Sequence, residues 1–471
     1  MIIDGKLKVS KNNVSIINPY SNKIVGKVAN ANENDIFEAL KFSYNTKCRL
    51  TELEKIKILE NTADYINKNK YDFAMTITNE TGLCLKDSIY EVDRVISCAN
   101  YAAKCCTVIN RDLTEDFIFD ELIKPKLKVI TEPLNLVVAV TPFNHPMNQV
   151  AHKIFPALIA GASMVLKPSE KTPLSAIMLV RALMLNGLPN NMINVITGKS
   201  GKNIMEKIIS FPNIDMITFT GGVNAGFEIK KNMVKNNHIL TKYVPELGGS
   251  SALIICEDAD LNNAIKVIIN GCFKNSGQRC TSIRRVLLDK NINNNFLEKL
   301  ISEVKKIKYG DPFDKNNDMG TLIDKDAASE IKNRVDSAIF DGAKLLYGNK
   351  KDGALYSPTI LDNVNQKMEL VSKETFGPVC PIIRTNNFEE ALKIAKDTRY
   401  KLAGGIMTSD SDKATVASEF LKVGQFSFNG PPSYRTEVAP FGGFGDSGNG
   451  EKEGILLAAK GMQKIRTFYK H

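Results

Sequence analysis

The sequence predicts an α/β protein built from two domains plus a small excursion. Three observations predict it. From residue 135 onward, short apolar runs alternate with helical stretches, the pattern of a parallel sheet with helices on both faces. A second alternation of the same kind begins after Cys280 and continues to about residue 425. The chain also has 471 residues, too many for one ordinary hydrophobic core, so two or three domains are expected.

The elements follow in order. Residues 30–110 carry helical periodicity, as in EALKFSYNTKCRL and TELEKIKILENTADYINKN. Residues 111–133 differ: FIFDELIKPKLKVITEP alternates and contains prolines, which suggests a strand pair or an extension. LVVAVTPFN and SMVLKPSE each read as a strand running into a loop, and TPLSAIMLVRALMLNG as a helix. MINVITG, MITFTGG and SALIICEDA are further apolar strands. After Cys280 come the strand RRVLLDK and a helix over about 293–308. The closing GMQKIRTFYK has the look of an extra strand, to pair with the 111–133 excursion or with another subunit.

Composition narrows the function classes. Hydrophobic content of 43% and charged content of 24% are those of a soluble globular protein. No run approaches 18 apolar residues, so no transmembrane helix is expected. The opening MIIDGKLKVSKNN has no apolar core of a secretory signal. The net charge of +10 admits nucleic acid, a membrane surface or an anionic small substrate as partner, beside the plain reading of solvated lysine. Lys230-Lys231 and Lys305-Lys306 are short and lack interleaved aromatics, which argues against nucleic acid. The nine cysteines are irregularly spaced, with no Cys-x-x-Cys. No disulfide framework or metal site is expected, and a reducing, cytoplasmic compartment fits.

One cysteine stands apart. Cys280 lies in NSGQRCTSIRR, directly after Arg279 and shortly before Arg284 and Arg285. Cations favour the thiolate, which is the reactive form. Other candidate groups sit at strand–loop junctions, where sites gather in α/β sheets. Asn144 in TPFNHP can donate its amide to an oxyanion, or serve as a turn residue. Lys167 and Glu170, in VLKPSE, suit ribose hydroxyls or phosphate, or an exposed charged turn. Gly221 and Gly222 in FTGG let a phosphate approach a helix N-terminus, or simply open the helix. Glu246 in PELGG is a general base or an ion-paired surface residue. Gly443-Phe444-Gly445-Asp446-Ser447-Gly448 matches a dinucleotide fingerprint, but too little chain follows it for the required strand and helix. A loop approaching a substrate or a neighbouring domain is the better reading.

Taken in order, PFNHP, KPSEKTPL, GLPNNMINVITG, FTGG, ELGG, GQRC, ETFGP and PFGG with its following DSG resemble the aldehyde dehydrogenase superfamily over nearly the whole chain. The resemblance implies that family's fold: a Rossmann-like NAD-binding domain over 1–110 and 132–245, an α/β catalytic domain over 246–428, and a β oligomerisation arm with the C-terminal segment over 111–131 and 429–471. It implies Cys280 as nucleophile, Asn144 and the Cys280 backbone N–H as oxyanion donors, and Glu246 as the base that hydrolyses a thioester. It implies Lys167 and Glu170 at the adenosine ribose, with Glu374 and Phe376 at the nicotinamide end. NAD is the expected cofactor, because a carboxylate at Glu170 repels a 2′-phosphate, with NADP as the other option. A homodimer or a dimer of dimers is expected.

Departures from the family pattern bear on the substrate. His145 stands beside Asn144 where the family often has an aromatic residue, and Arg279 precedes the nucleophile. Arg435, in GPPSYR, and Arg94, in EVDRVISCANYAA, add two more cations near the expected entrance. Together they suit a small anionic aldehyde, since arginine pairs with phosphonate oxygens through two donors. Family drift and salt bridges are the ordinary alternative for these four. They resemble the branch that oxidises phosphonoacetaldehyde to phosphonoacetate in phosphonate catabolism, which is the expected substrate. Lactaldehyde, succinate semialdehyde and glyceraldehyde 3-phosphate are the alternatives, and a non-catalytic protein on the same fold is a remote one.

Overall fold

The computed structural model describes residues 1–47, 50–110 and 126–470. Two seven-stranded sheets organise the chain. In the first, the order is Lys242–Glu246, Met216–Thr220, Val137–Val140, Met164–Lys167, Ile193–Val195, then the short Ile2–Ile3 and Lys6–Leu7. The first five run parallel and the last two antiparallel. The second sheet has Lys344–Tyr347, Thr359–Asp362, Val379–Thr385, Ile283–Asp289, Ser251–Ile255, Ala403–Met407 and Gln425–Phe428 in that order. Only its Lys344–Tyr347 edge is antiparallel.

The central strands of each sheet are buried because both of their faces are covered. Side chains alternate across a strand with period two. Val137 and Ala139 accordingly join one core, and Val138 and Val140 another. Ala252 and Ile254 pack on one face of the second sheet, while Leu253 and Ile255 pack on the other.

Three helices matter for the site. Leu85–Cys106 turns Asp87, Tyr90, Glu91 and Arg94 toward one cavity, as their i, i+3, i+4, i+7 spacing requires. Asn148–Ala160 is buried over all its length and carries His152 and Lys153 into the interior. Val223–Lys235 starts directly after Gly222.

The C-terminal strand Gln463–Lys470 pairs antiparallel with Lys126–Pro133, with Gln463 opposite Pro133. Residues 111–125 of the expected arm lie outside the described residues. The 443–448 glycine loop packs beside Glu246: Leu247 N–H donates to Ser447 O at 2.9 Å, and Gly448 bridges to Glu246. A Cβ added at Gly442 would come within 2.5 Å of Glu246 Oε1, so the chain there passes directly against that carboxylate. Among the described residues no helix is long and apolar enough to cross a membrane.

Candidate active site

Cys280 sits in the turn between a short 3-10 segment, Lys274–Gly277, and the strand Ile283–Asp289. The turn is tight. Asn275, Ser276 and Gly277 are all left-handed, with φ of 61°, 52° and 67°. Gly277 is required, since a Cβ there would lie 2.2 Å from Gly377 O. Arg284 braces the turn from the buried side. Its guanidinium donates to the carbonyls of Gly277, Gly377 (2.7 Å) and Arg279 (3.3 Å). Arg285 donates instead to Ser250 O and Ala395 O, at 2.8 and 3.0 Å. Both arginines are buried and fasten strand to loop.

Asn144 is tied to the same turn. Its Nδ2 donates to Gln278 O at 2.8 Å, and its own carbonyl accepts from Asn275 Nδ2 at 3.2 Å. An amide carries two hydrogens, so one remains beside the cysteine.

Two cavities meet at Asn144 and Cys280. One, of about 150 Å³, is lined by Arg94, His145, Arg279 and Arg435 among others. The other, of about 490 Å³, is lined by Gly221, Gly222, Glu246, Glu374 and Phe376. Glu374 accepts from Gly249 N–H at 3.0 Å, and Phe376 meets Phe143 edge-on with ring centroids 5.9 Å apart. Lys167 and Glu170 do not join this wall. They pair with each other at 3.3 Å beside Gly201, and Glu170 lines a neighbouring groove with Lys171 and Asp324.

The electrostatics revise one expectation. The adjacent arginine does not make Cys280 a ready thiolate. Burial pushes its thiol up to about 12, with Glu374 and Glu246 adding to the rise, and Arg435 is among the cations that counter them. Arg279 turns away along the cavity wall and donates to Asn270 O. The nucleophile's proton therefore needs an acceptor. Glu246 faces the same cavity and is not the surface residue that was the alternative. It is 2% exposed, and neither carboxylate oxygen has a hydrogen-bond partner among the described residues. Burial, then the charge of Glu453, holds its pKa well above the usual carboxylate range.

The substrate-side cavity contains groups that the sequence reading missed. Lys274 stands over the Tyr90 ring at 3.8 Å from its centroid, and it belongs to the same stretch as Cys280. Glu91 accepts from the backbone N–H groups of Met147 and Asn148 at 2.9 and 3.0 Å and lies 3.4 Å from His145 Nδ1. Glu91 and Tyr90 were legible from Arg94, one helical turn away on the same face.

The chain belongs to the aldehyde dehydrogenase family, whose model matches residues 7–468. It is an NAD(P)-dependent aldehyde dehydrogenase. It is 35% identical to a lactaldehyde dehydrogenase of Methanococcus aeolicus over 99% of both chains. It is 32% identical to a 3-sulfolactaldehyde dehydrogenase of Priestia megaterium, over 99% of this chain and 96% of that one. The glyceraldehyde-3-phosphate dehydrogenase GapN of Methanocaldococcus jannaschii, solved with NADP, superposes with a TM-score of 0.91 at 33% identity, covering 98% of this chain and 100% of that one. The residues present fit the cofactor. A Cβ added at Gly222 would meet nothing within 4 Å, so the backbone at the start of the Val223–Lys235 helix is open to a phosphate.

Proposed function

We propose that the protein oxidises a small anionic aldehyde to its carboxylate through a thioester on Cys280, with phosphonoacetaldehyde as the substrate that fits best. One observation carries the choice of an anion. Arg94 Nη2, Arg279 Nε and Arg435 Nε are each buried without a partner among the described residues, and all three side chains line the cavity that ends at Cys280. Unpartnered buried donors are costly, and a group with several terminal oxygens satisfies them at once.

The chain's residues divide the work. Cys280 gives up its thiol proton to water, and its Sγ bonds to the aldehyde carbon. The second amide hydrogen of Asn144 and the Cys280 backbone N–H hold the oxygen as it becomes negative. Bound NAD(P) supplies the hydride acceptor, and Gly221, Gly222, Glu374, Phe376, Lys167 and Glu170 would hold it. Glu246 then draws a proton from water, whose oxygen attacks the thioester carbon. The C–S bond breaks, the carboxylate leaves, and the thiol is restored. Splitting the oxidation this way replaces one hard step by two easier ones.

A second reading has its own support. Similarity to a 3-sulfolactaldehyde dehydrogenase favours a sulfonate on the same arginines. Intact-mass spectrometry of acid-quenched Glu246→Gln enzyme with cofactor and phosphonoacetaldehyde tests the covalent step. The expected result is an acyl adduct that is absent from the Cys280→Ala, Glu246→Gln double variant. An adduct that survives loss of Cys280 refutes the assignment.

A further inference from the structure

Behind the substrate cavity, two side chains that do not line it connect the two arginines that do. Arg94 Nε donates to Glu437 Oε1 at 2.7 Å. The other oxygen, Oε2, lies 2.7 Å from His152 Nε2, a contact too bent to count as a regular hydrogen bond. On its far side, His152 Nδ1 faces Arg435 Nη2 at 3.4 Å. Arg435 is held from below by Phe441, whose ring centroid lies 4.0 Å from the guanidinium carbon.

Donors and acceptors run consistently along this chain. Burial, then the charge of Arg435, pushes His152 down to about 4, so its ring is neutral at physiological pH and carries one hydrogen. That hydrogen belongs on Nε2, toward the carboxylate. Nδ1 then presents a lone pair to the guanidinium of Arg435. Burial raises the Glu437 carboxyl, but its contacts with His152 and Arg94 outweigh this and bring it down to about 2. It is an anion lodged between two cations that repel each other. Cys98, His152 and Glu437 also bring possible metal-ligand atoms within 4.8 Å of one another. The adjacent guanidinium groups of Arg94 and Arg435 make the place unsuited to a divalent cation.

We infer that Glu437 and His152 are positioning residues that fix Arg94 and Arg435 as one anion clamp, and thereby select an aldehyde bearing a phosphonate or sulfonate. The inference rests on the anionic-aldehyde reading above. The geometry divides each guanidinium. Among the described residues, Arg94 gives its Nε edge to Glu437 and keeps Nη2 unpartnered, while Arg435 gives Nη2 to His152 and keeps Nε unpartnered. One buried carboxylate thus lets two like charges stand together with their remaining donors free for the ligand.

The test uses Glu437→Gln, which keeps an acceptor for Arg94 but loses the charge, and His152→Phe, which keeps the ring shape but has neither donor nor acceptor. Thermal unfolding checks that both fold, and either one suffices if the other does not. Two quantities are read: the ratio of kcat/KM for phosphonoacetaldehyde to that for propionaldehyde, and the calorimetric Kd of phosphonoacetate. The expected result is a fall of about tenfold or more in the ratio, carried by KM, with a parallel rise in Kd. A ratio and Kd within about twofold of the parent in a folded variant, or equal losses on both aldehydes, overturns the inference. A parent enzyme that shows no preference for the anionic aldehyde overturns the anion-site reading itself, which the variants then do not need to address.

Discussion

Replacing Arg279 by methionine isolates one part of the anion site. The aliphatic stem is kept, so packing changes little. Arg279 donates Nη2 to Asn270 O and holds Nε in the cavity wall without a partner among the described residues. The substrate therefore loses one charge-assisted hydrogen bond rather than a bidentate pair. Such a bond contributes roughly 1.5–3 kcal/mol. At about 1.4 kcal/mol for each factor of ten, kcat/KM for phosphonoacetaldehyde falls by about 10- to 100-fold. Propionaldehyde has no anionic group, so its kcat/KM changes by less than about threefold. The assay is steady-state NADH formation with both aldehydes at fixed ionic strength, because exposed charge effects are screened by salt. Equal losses on the two substrates would refute the reasoning and return Arg279 to a structural role on Asn270.

The remaining expectations concern the cysteine and its support. Glu246→Gln keeps the initial burst of NADH but slows the steady state by about 10²- to 10⁴-fold, the usual contribution of a positioned base; an unchanged steady-state rate in stopped flow contradicts the role. Because burial raises the Cys280 thiol to about 12, the reactive thiolate is scarce at neutral pH and grows as pH rises. Alkylation of the cofactor-free enzyme by iodoacetamide therefore accelerates by about tenfold per pH unit from pH 7 to 10. A plateau near pH 8–9, the range of an ordinary thiol, would show that the site does not hold the proton on sulfur. Arg284→Met leaves the carbonyls of Gly277, Gly377 and Arg279 without this donor. It lowers unfolding stability by about 3 kcal/mol or more in urea titration, and an unchanged midpoint would remove Arg284 as the brace of the turn.

Much of the fold was legible because its signals are local. Val137–Val140, Met164–Lys167 and Met216–Thr220 are buried over nearly all their length, so each appears in sequence as a mainly apolar run. The antiparallel additions Ile2–Ile3 and Lys6–Leu7 were not legible, since two residues show no periodicity. At the site, residue types at loop positions pointed to Cys280, Glu246 and Asn144, which face shared cavity space. What sequence adjacency could not give is direction. Arg279 is next to Cys280 in the chain, yet its guanidinium donates to Asn270 O, and Arg435, distant in sequence, also acts on the thiol. Glu246 reads equally as a surface ion pair until the 443–448 loop is seen to cover it. His152 and Glu437 carry no local signal, because their meaning is the gap they bridge between two arginines far apart in the chain.

The most direct test of the central claim is steady-state NADH production with phosphonoacetaldehyde beside propionaldehyde, lactaldehyde, succinate semialdehyde, glyceraldehyde 3-phosphate and 3-sulfolactaldehyde. The account predicts a kcat/KM for phosphonoacetaldehyde about 100-fold or more above that for propionaldehyde, equivalent to roughly 2.7 kcal/mol of transition-state stabilisation by the three arginines. It also predicts that phosphonoacetaldehyde leads the anionic series. Propionaldehyde or lactaldehyde turned over as well as phosphonoacetaldehyde would contradict it, leaving the cysteine chemistry in place and the arginines without an anion to hold.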